Sequence, residues 1–356
     1  MKLPNLQIGD LIAKIPIIQG GMGIGVSGYK LASSVANEGG IGVISAVQIG
    51  YREPDFKIDT KNANIRALKK EIRKARKLSP KGIIGVNIMV AVNYYDDMIK
   101  AILEEDVDLI ISGAGLPMSL PKLVEGSNIK IAPIVSSAKA VAIIIKYWLK
   151  KYNRLPDLVV VEGPEAGGHL GFNYNQINNK EYKLENITID VLKTIKYYEN
   201  KYNKVIPIVA AGGIYTGKDI AQFIKLGASG VQMASRFVAT NECDANIEFK
   251  NMYVNAKKEE MIIVKSPVGL LGRAIKNTFI EDIKNKKMPP EKCYNCLKKC
   301  NPKDTLYCIS NALINAVNGN VDKGLIFASS NVHKIDKILS VKELMKELIL
   351  ESEKYL

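Results

Sequence analysis

Short runs of Val, Ile and Leu recur along the chain, each followed by a longer stretch with apolar residues three and four positions apart. The unalternating runs predict strands buried on both faces, and the spaced stretches predict amphipathic helices. In order, the strand-like runs are Ile15–Gln19, Ile41–Ala46, Ile83–Met89, Val107–Ser112, Ile129–Val135, Leu158–Val161, Ile206–Ala210 and Gly230–Met233. Helix candidates lie between them at Tyr29–Glu38, Asn62–Lys77, Tyr94–Glu104, Pro117–Glu125, Ala138–Lys151, Asp190–Tyr198 and Gly217–Leu226. Gly39-Gly40 ends the first helix and Ser79-Pro80 the second. Eight strand–helix units in roughly 240 residues predict an α/β fold, a (β/α)8 TIM barrel.

A doubly wound open sheet is the alternative. Gly23-x-Gly25-x-x-Gly28 follows the first strand and precedes a helix, as in a dinucleotide fingerprint. That fingerprint also needs a carboxylate about twenty residues on. The chain has Ile44-Ser45-Ala46-Val47-Gln48 there, with none. The barrel is therefore expected over residues 1–240. Residues 241–356 leave the alternating pattern and predict a mainly helical C-terminal extension. Within it, Ala245–Lys258 reads as a helix and Lys265–Arg273 as a loop returning to the barrel mouth. Ser340-Val341-Lys342-Glu343 is a capping box opening a last helix, whose Val341, Leu344, Leu348 and Leu350 suggest docking on the body or on a second subunit of a homodimer.

The formal charge of +14 is carried mainly by scattered lysines. Clustered arginine with interleaved aromatics would favour a nucleic-acid binder, and that pattern is missing. The densest basic run, Lys69–Lys77, reads as one exposed helix face. The longest apolar run, Ala140–Leu149, is interrupted by Lys146 and too short to span a bilayer. No signal pattern opens the chain, so a cytoplasmic enzyme acting on a small molecule is expected, with no nucleic acid and no membrane as partner.

The chemistry concentrates after the sixth strand. Val159-Val160-Val161 runs into Glu162-Gly163-Pro164-Glu165-Ala166-Gly167-Gly168-His169-Leu170-Gly171. A parallel α/β protein keeps its active site at this end of its strands. His169 is one of only two histidines, and the glycines around it allow close backbone approach to a ligand. It is the candidate catalytic residue. His333, in the tail, has no such setting. Ala211-Gly212-Gly213-Ile214 and Gln232-Met233-Ala234-Ser235-Arg236-Phe237 end strands seven and eight, where barrels commonly bind phosphate. Ser136-Ser137 follow strand five, facing the site or capping the next helix.

These segments resemble a known family. Pro16-Ile17-Ile18-Gln19-Gly20-Gly21-Met22-Gly23, Glu165–His169, Ala211–Ile214 and Gln232–Phe237 occur in the order seen in nitronate monooxygenases, and Lys265-Ser266-Pro267-Val268-Gly269 with Arg273 looks like a further family element. The resemblance covers about residues 10–280. It implies an FMN-binding barrel. Gln19, Gly20, Gly21, Met22, Gly23 and Asn87 would lie along the ring and ribityl chain. Gly168, Gly212, Gly213, Ala234 and Ser235 would hold the phosphate, with Glu162, Gly167, Gln232 and Met233 completing the cofactor shell. Ala234-Ser235 departs from the Gly-Thr of many relatives but keeps an amide and a hydroxyl. The implied reaction is oxidation of a nitronate by O2 to a carbonyl compound and nitrite. The same scaffold carries FMN-dependent enoyl-acyl-carrier-protein reductases, which use NAD(P)H on an enoyl thioester. Glu162-Gly163 is nearer the reductase form and Glu165-Ala166 nearer the monooxygenase form.

Four of the five cysteines cluster late: Cys293-x-x-Cys296-x-x-x-Cys300, then Cys308. Such a set could hold zinc or an iron–sulfur cluster. Only the first pair has a standard zinc spacing, and thiols packing a helical cap are the alternative.

Overall fold

A computed structural model describes residues 1–356. A short antiparallel hairpin, β1 (Leu6–Ile8) and β2 (Leu11–Ala13), precedes the barrel. Parallel strands β3 (Ile17–Gln19), β4 (Ile41–Ser45), β5 (Ile83–Met89), β6 (Leu109–Gly113), β7 (Lys130–Val135) and β8 (Val159–Glu162) follow. A small strand outside the barrel, β9 (Gly168–Leu170), comes next, and then β10 (Ile208–Ala211) and β11 (Gly230–Met233). The barrel closes in the order β10-β11-β3-β4-β5-β6-β7-β8, with every pairing parallel. The expected (β/α)8 architecture is therefore present.

Strand alternation divides the barrel residues between two cores. Ile18, Val43, Ile111, Ala132, Val160 and Val209 point inward and pack with Leu6, Ile8 and Ala13, so the N-terminal hairpin plugs the bottom of the barrel. Ile17, Ile44, Val86, Ile110, Val161 and Val231 point outward under the helices and belong to the main core. Helix starts follow local capping. Asp59 accepts from the Asn62 amide to open Thr60–Leu78, and Ser137 accepts from the Ala140 amide to open Ala138–Tyr152. The helix expected at Asp190–Tyr198 is longer, Leu184–Tyr202, because Leu184 and Ile187 extend its buried stripe. The one expected at Pro117–Glu125 shrinks to Leu120–Leu123, and the Pro117 carbonyl instead accepts from the Trp148 indole at 3.1 Å.

The basic run on Thr60–Leu78 is not a bare solvated face. Lys69 pairs with Glu104, Arg73 with Glu105 at 2.7 Å, and Arg76 with Asp108 at 2.7 Å. No helix is long and apolar enough to cross a membrane.

In the extension, the segment expected as a loop is a hairpin, β12 (Met261–Lys265) and β13 (Leu271–Ile275). β13 also pairs with β9, setting Gly272 opposite His169. The glycine-rich loop after β8 is thereby tied to the C-terminal part of the chain. The last helix, Val341–Tyr355, has the expected capping box, with Ser340 and Glu343 exchanging hydrogen bonds. Val341, Leu344 and Leu348 are buried as expected, whereas Leu350 is exposed. This helix docks on Gly217–Leu226 of the same chain. Phe249, Tyr253 and Leu344 join the main core, so barrel and extension share it.

Candidate active site

A cavity of about 420 Å³ opens at the C-terminal end of the barrel. Its floor is the next interior layer above the packed core. Continuing the inward alternation past Ile18, Val43, Ile111, Val160 and Val209 reaches Gly20, Ser45, Gly113, Glu162 and Ala211, all of which line the cavity. Asn87, Ile134 and Gln232 take the same positions on β5, β7 and β11. Four of these floor residues are polar. Asn87 donates its side-chain amide to the Ile111 carbonyl at 3.2 Å. The buried Gln232 Oε1 has no hydrogen-bond partner. An orphaned acceptor in a cavity wall calls for a donor on whatever fills the cavity. Glu162 ends β8, and burial with no cation beside it pushes its carboxyl up to about 8.

One wall is bare backbone. A Cβ on Gly21 would stand 2.2 Å from the Asn87 Cβ, so only glycine lets this turn lie against the floor. Across the cavity stands His169, on β9. Its Nε2 is 2.7 Å from Ser266 Oγ, and its ring meets Phe327 edge-on at 5.0 Å between centroids. Burial lowers its pKa to about 4, so the imidazole is neutral at pH 7. The Arg273 guanidinium secures the loop that carries it, donating to the carbonyls of Pro164 at 2.8 Å and Ala166 at 3.3 Å.

The far end is formed by two backbone turns. Gly212, at φ +98°, and Gly213 turn sharply after β10, and Ala234-Ser235 follow β11. A strap from the extension crosses here. Ser329 donates its amide to Ser235 Oγ at 3.0 Å, Ser330 donates its hydroxyl to Glu165 at 3.1 Å, and Asn331 donates its side-chain amide to the Gly213 carbonyl at 2.5 Å. The Tyr253 hydroxyl donates to the Phe327 carbonyl beneath it.

Of the residues expected at the site, Gly20, Gly21, Met22, Gly23, Asn87, Glu162, Gly167, Gly168, His169, Gly212, Gly213, Gln232, Met233, Ala234 and Ser235 all line this one cavity. Gln19 does not. Its side chain lies between β3 and β4, donating to the Val43 carbonyl at 3.2 Å and accepting the Val43 amide at 3.1 Å. These two strands share only the Ile18–Ile41 pairing, and Gln19 supplies bonds that their splayed ends lack. Arg236 also turns away, stacking on Tyr215 and pairing with Glu347 at 2.9 Å.

Metal binding at Cys293, Cys296, Cys300 and Cys308, expected beside the alternative of thiols packing a cap, finds no support in the arrangement of these side chains. No three His, Cys, Asp or Glu side chains are placed to hold a metal ion, and all the cysteines are free. Cys293 Sγ accepts from the Asn295 amide at 3.3 Å, and Cys308 sits at the N-cap position of the helix Ile309–Val317 without a side-chain cap bond. Burial pushes the Cys296 thiol up to about 11. Phe249, Tyr253, Phe327 and Ser329 also line the cavity and were not foreseen. For Phe327 the sequence signal is the apolar run Leu325–Ala328.

Comparison with known proteins agrees with this geometry. The family model for nitronate monooxygenase matches residues 6–351. A probable nitronate monooxygenase of Staphylococcus aureus (strain MSSA476) is 28% identical over 299 residues, covering 77% of this chain and 78% of that protein. FabK from Thermotoga maritima superposes with a TM-score of 0.75 at 25% identity, covering 96% of this chain and 94% of that one. A nitroalkane oxidase from Streptomyces ansochromogenes superposes with a TM-score of 0.72 at 19% identity over 96% of both chains, a likeness of fold.

Proposed function

This chain belongs to the nitronate monooxygenase family and is a flavin-dependent oxidoreductase, and on that premise we propose that it oxidises alkyl nitronates with O2 to carbonyl compounds and nitrite. The residues present suit FMN. The orphaned Gln232 Oε1 awaits a donor such as a ring N–H, the Gly20–Gly23 turn leaves room for a flat ring, and the Gly212-Gly213 and Ala234-Ser235 turns suit a phosphate. When bound, FMN would supply the electron-accepting ring through which substrate electrons reach O2.

The observation that carries the nitronate reading is the burial of His169. With a pKa near 4 the imidazole is a weak base, poorly suited to removing a proton from a neutral nitroalkane. A nitronate arrives already deprotonated and needs no base. It needs a hydrogen-bond donor for its anionic oxygens and a site that excludes water. Ser266 engages Nε2, which leaves Nδ1 without a partner in the protein and free to meet those oxygens. The Phe327 edge and the β9–β13 pairing fix the ring's orientation. The FMN-loaded protein is expected to release nitrite from an alkyl nitronate in step with oxygen consumption, and much more slowly from the neutral nitroalkane. No nitrite from either form would reject the reading.

A second reading, reduction of an enoyl thioester with NAD(P)H, is favoured by Glu162. A carboxyl that keeps its proton at neutral pH is a proton source for an enolate. The likeness to FabK at 25% identity keeps this reading in view. Oxidation of NAD(P)H dependent on an enoyl thioester, without nitrite release from nitronates, would favour it.

A further inference from the structure

A second, smaller recess opens beside the active-site cavity. Ile24, Val47, Met89, Leu313 and His169 belong to the walls of both, so His169 stands at the doorway between them. The recess measures about 40 Å³. That is room for roughly three water-sized spheres, and so for a chain of about three carbons. Its far wall comes from the extension, through Leu297 and Ile309. That wall is pinned to the barrel: Cys296 accepts the Asn93 amide at 3.1 Å, and Lys298 donates its amide to the Ala91 carbonyl at 3.0 Å.

The Gln48, Asn64 and Ser310 side chains in its wall are already engaged. Gln48 Oε1 accepts from Asn64 at 2.7 Å, Gln48 Nε2 donates to Ser310 at 3.3 Å, and Asn64 Oδ1 accepts the Gly50 amide at 2.8 Å. Among the recess residues none has a buried polar atom without a partner. The main cavity differs, because Gln232 offers a free acceptor there. A polar substituent entering past His169 would lose its water and find Gln48, Asn64 and Ser310 already engaged, whereas an alkyl chain loses nothing.

We propose that this recess is the subsite for the carbon chain of the substrate, admitting an unbranched aliphatic chain of about three carbons. The inference rests on the reading above, in which the reacting group sits at His169. The anion oxygens stay in the main cavity, and the chain passes the imidazole into the recess.

The test uses the FMN-loaded protein and n-alkyl carboxylates from acetate to octanoate, inert anions that share the planar two-oxygen head of a nitronate. Binding is read from perturbation of the flavin absorbance. Affinity is expected to rise about fourfold per added methylene over the first three or so, then level off. Leu297→Ala, which enlarges only the recess, should carry the rise to longer chains while acetate binds as in the parent. Leu297→Trp should flatten it. A branched carboxylate of equal carbon count should bind more weakly than the linear one. A flat series in the parent protein, or the same chain-length limit in parent and Leu297→Ala, would overturn the proposal. Nitrite assays separate the two readings. A flat series with active nitronate turnover refutes the recess alone, and a rising series without turnover refutes the nitronate reading and leaves the recess standing.

Discussion

His169→Phe is expected to lower kcat/KM for alkyl nitronates roughly 10²–10³-fold, the usual cost of losing one donor to a developing or bound oxyanion. FMN content should stay at the parental level, because the phosphate and ring contacts proposed for the cofactor lie on other residues. The substitution keeps an aromatic ring against Phe327, which is 5.0 Å away between centroids, and removes only the nitrogen atoms. His169→Asn retains a donor and should recover part of the loss. A pH profile checks the protonation state assigned to the imidazole. Because burial holds the imidazole neutral down to about 4, kcat/KM should show no break near pH 6.5, where an exposed histidine titrates. Unchanged turnover in His169→Phe would reject the role.

Glu162→Gln should stabilise the flavin-free protein in mildly alkaline buffer. Burial raises the folded-state pKa of Glu162 from 4.5 to about 8. Between those values the folded state holds a proton that the unfolded chain releases. The stability associated with that proton is complete below about pH 4.5 and is lost as pH rises to about 8. Each pH unit between the two values is worth about 1.4 kcal/mol, and water in the cavity discounts the total, so a difference of ~2–3 kcal/mol at pH 8 is expected. Near pH 4.5 the two proteins should unfold alike. His169 contributes with the opposite sign. Its folded pKa is depressed, so its protonation penalises the folded state as pH falls from about 6.5 to about 4. Urea melts of parent and Glu162→Gln at pH 5 and pH 8 measure the difference directly. A constant offset between the two proteins would show that Glu162 carries no raised pKa.

The barrel was legible because its strands are unalternating Val and Ile runs, a pattern that few other structures require. Ile83–Met89 and Gly230–Met233 fall where the pattern places them. The glycine-rich loop, the Gly-Gly turn after β10 and the Ala234-Ser235 turn were legible for a different reason, since each follows a strand end where barrels bind ligands. Gln19 shows the limit of motif reading. Strand parity sends Ile18 inward, hence also Gly20, and a shift of one residue moves a side chain to the other face. The β9–β13 pairing joins residues about a hundred positions apart. A three-residue strand with glycine, as β9 is, carries no alternation to betray it. The strap over Ser235 depends on equally distant contacts. Cys-x-x-Cys spacing fixes one pair of sulfurs, while the positions of Cys300 and Cys308 depend on how the loop folds back, which the sequence does not show.

The central claim is that electrons enter this flavoprotein from a nitronate. Anaerobic mixing of the FMN-loaded protein with an alkyl nitronate, and separately with NADH and NADPH, tests it most directly. Bleaching of the flavin absorbance by the nitronate, with neither nicotinamide having an effect, is the predicted result. Rapid bleaching by NADH or NADPH, with no response to the nitronate, would contradict the account.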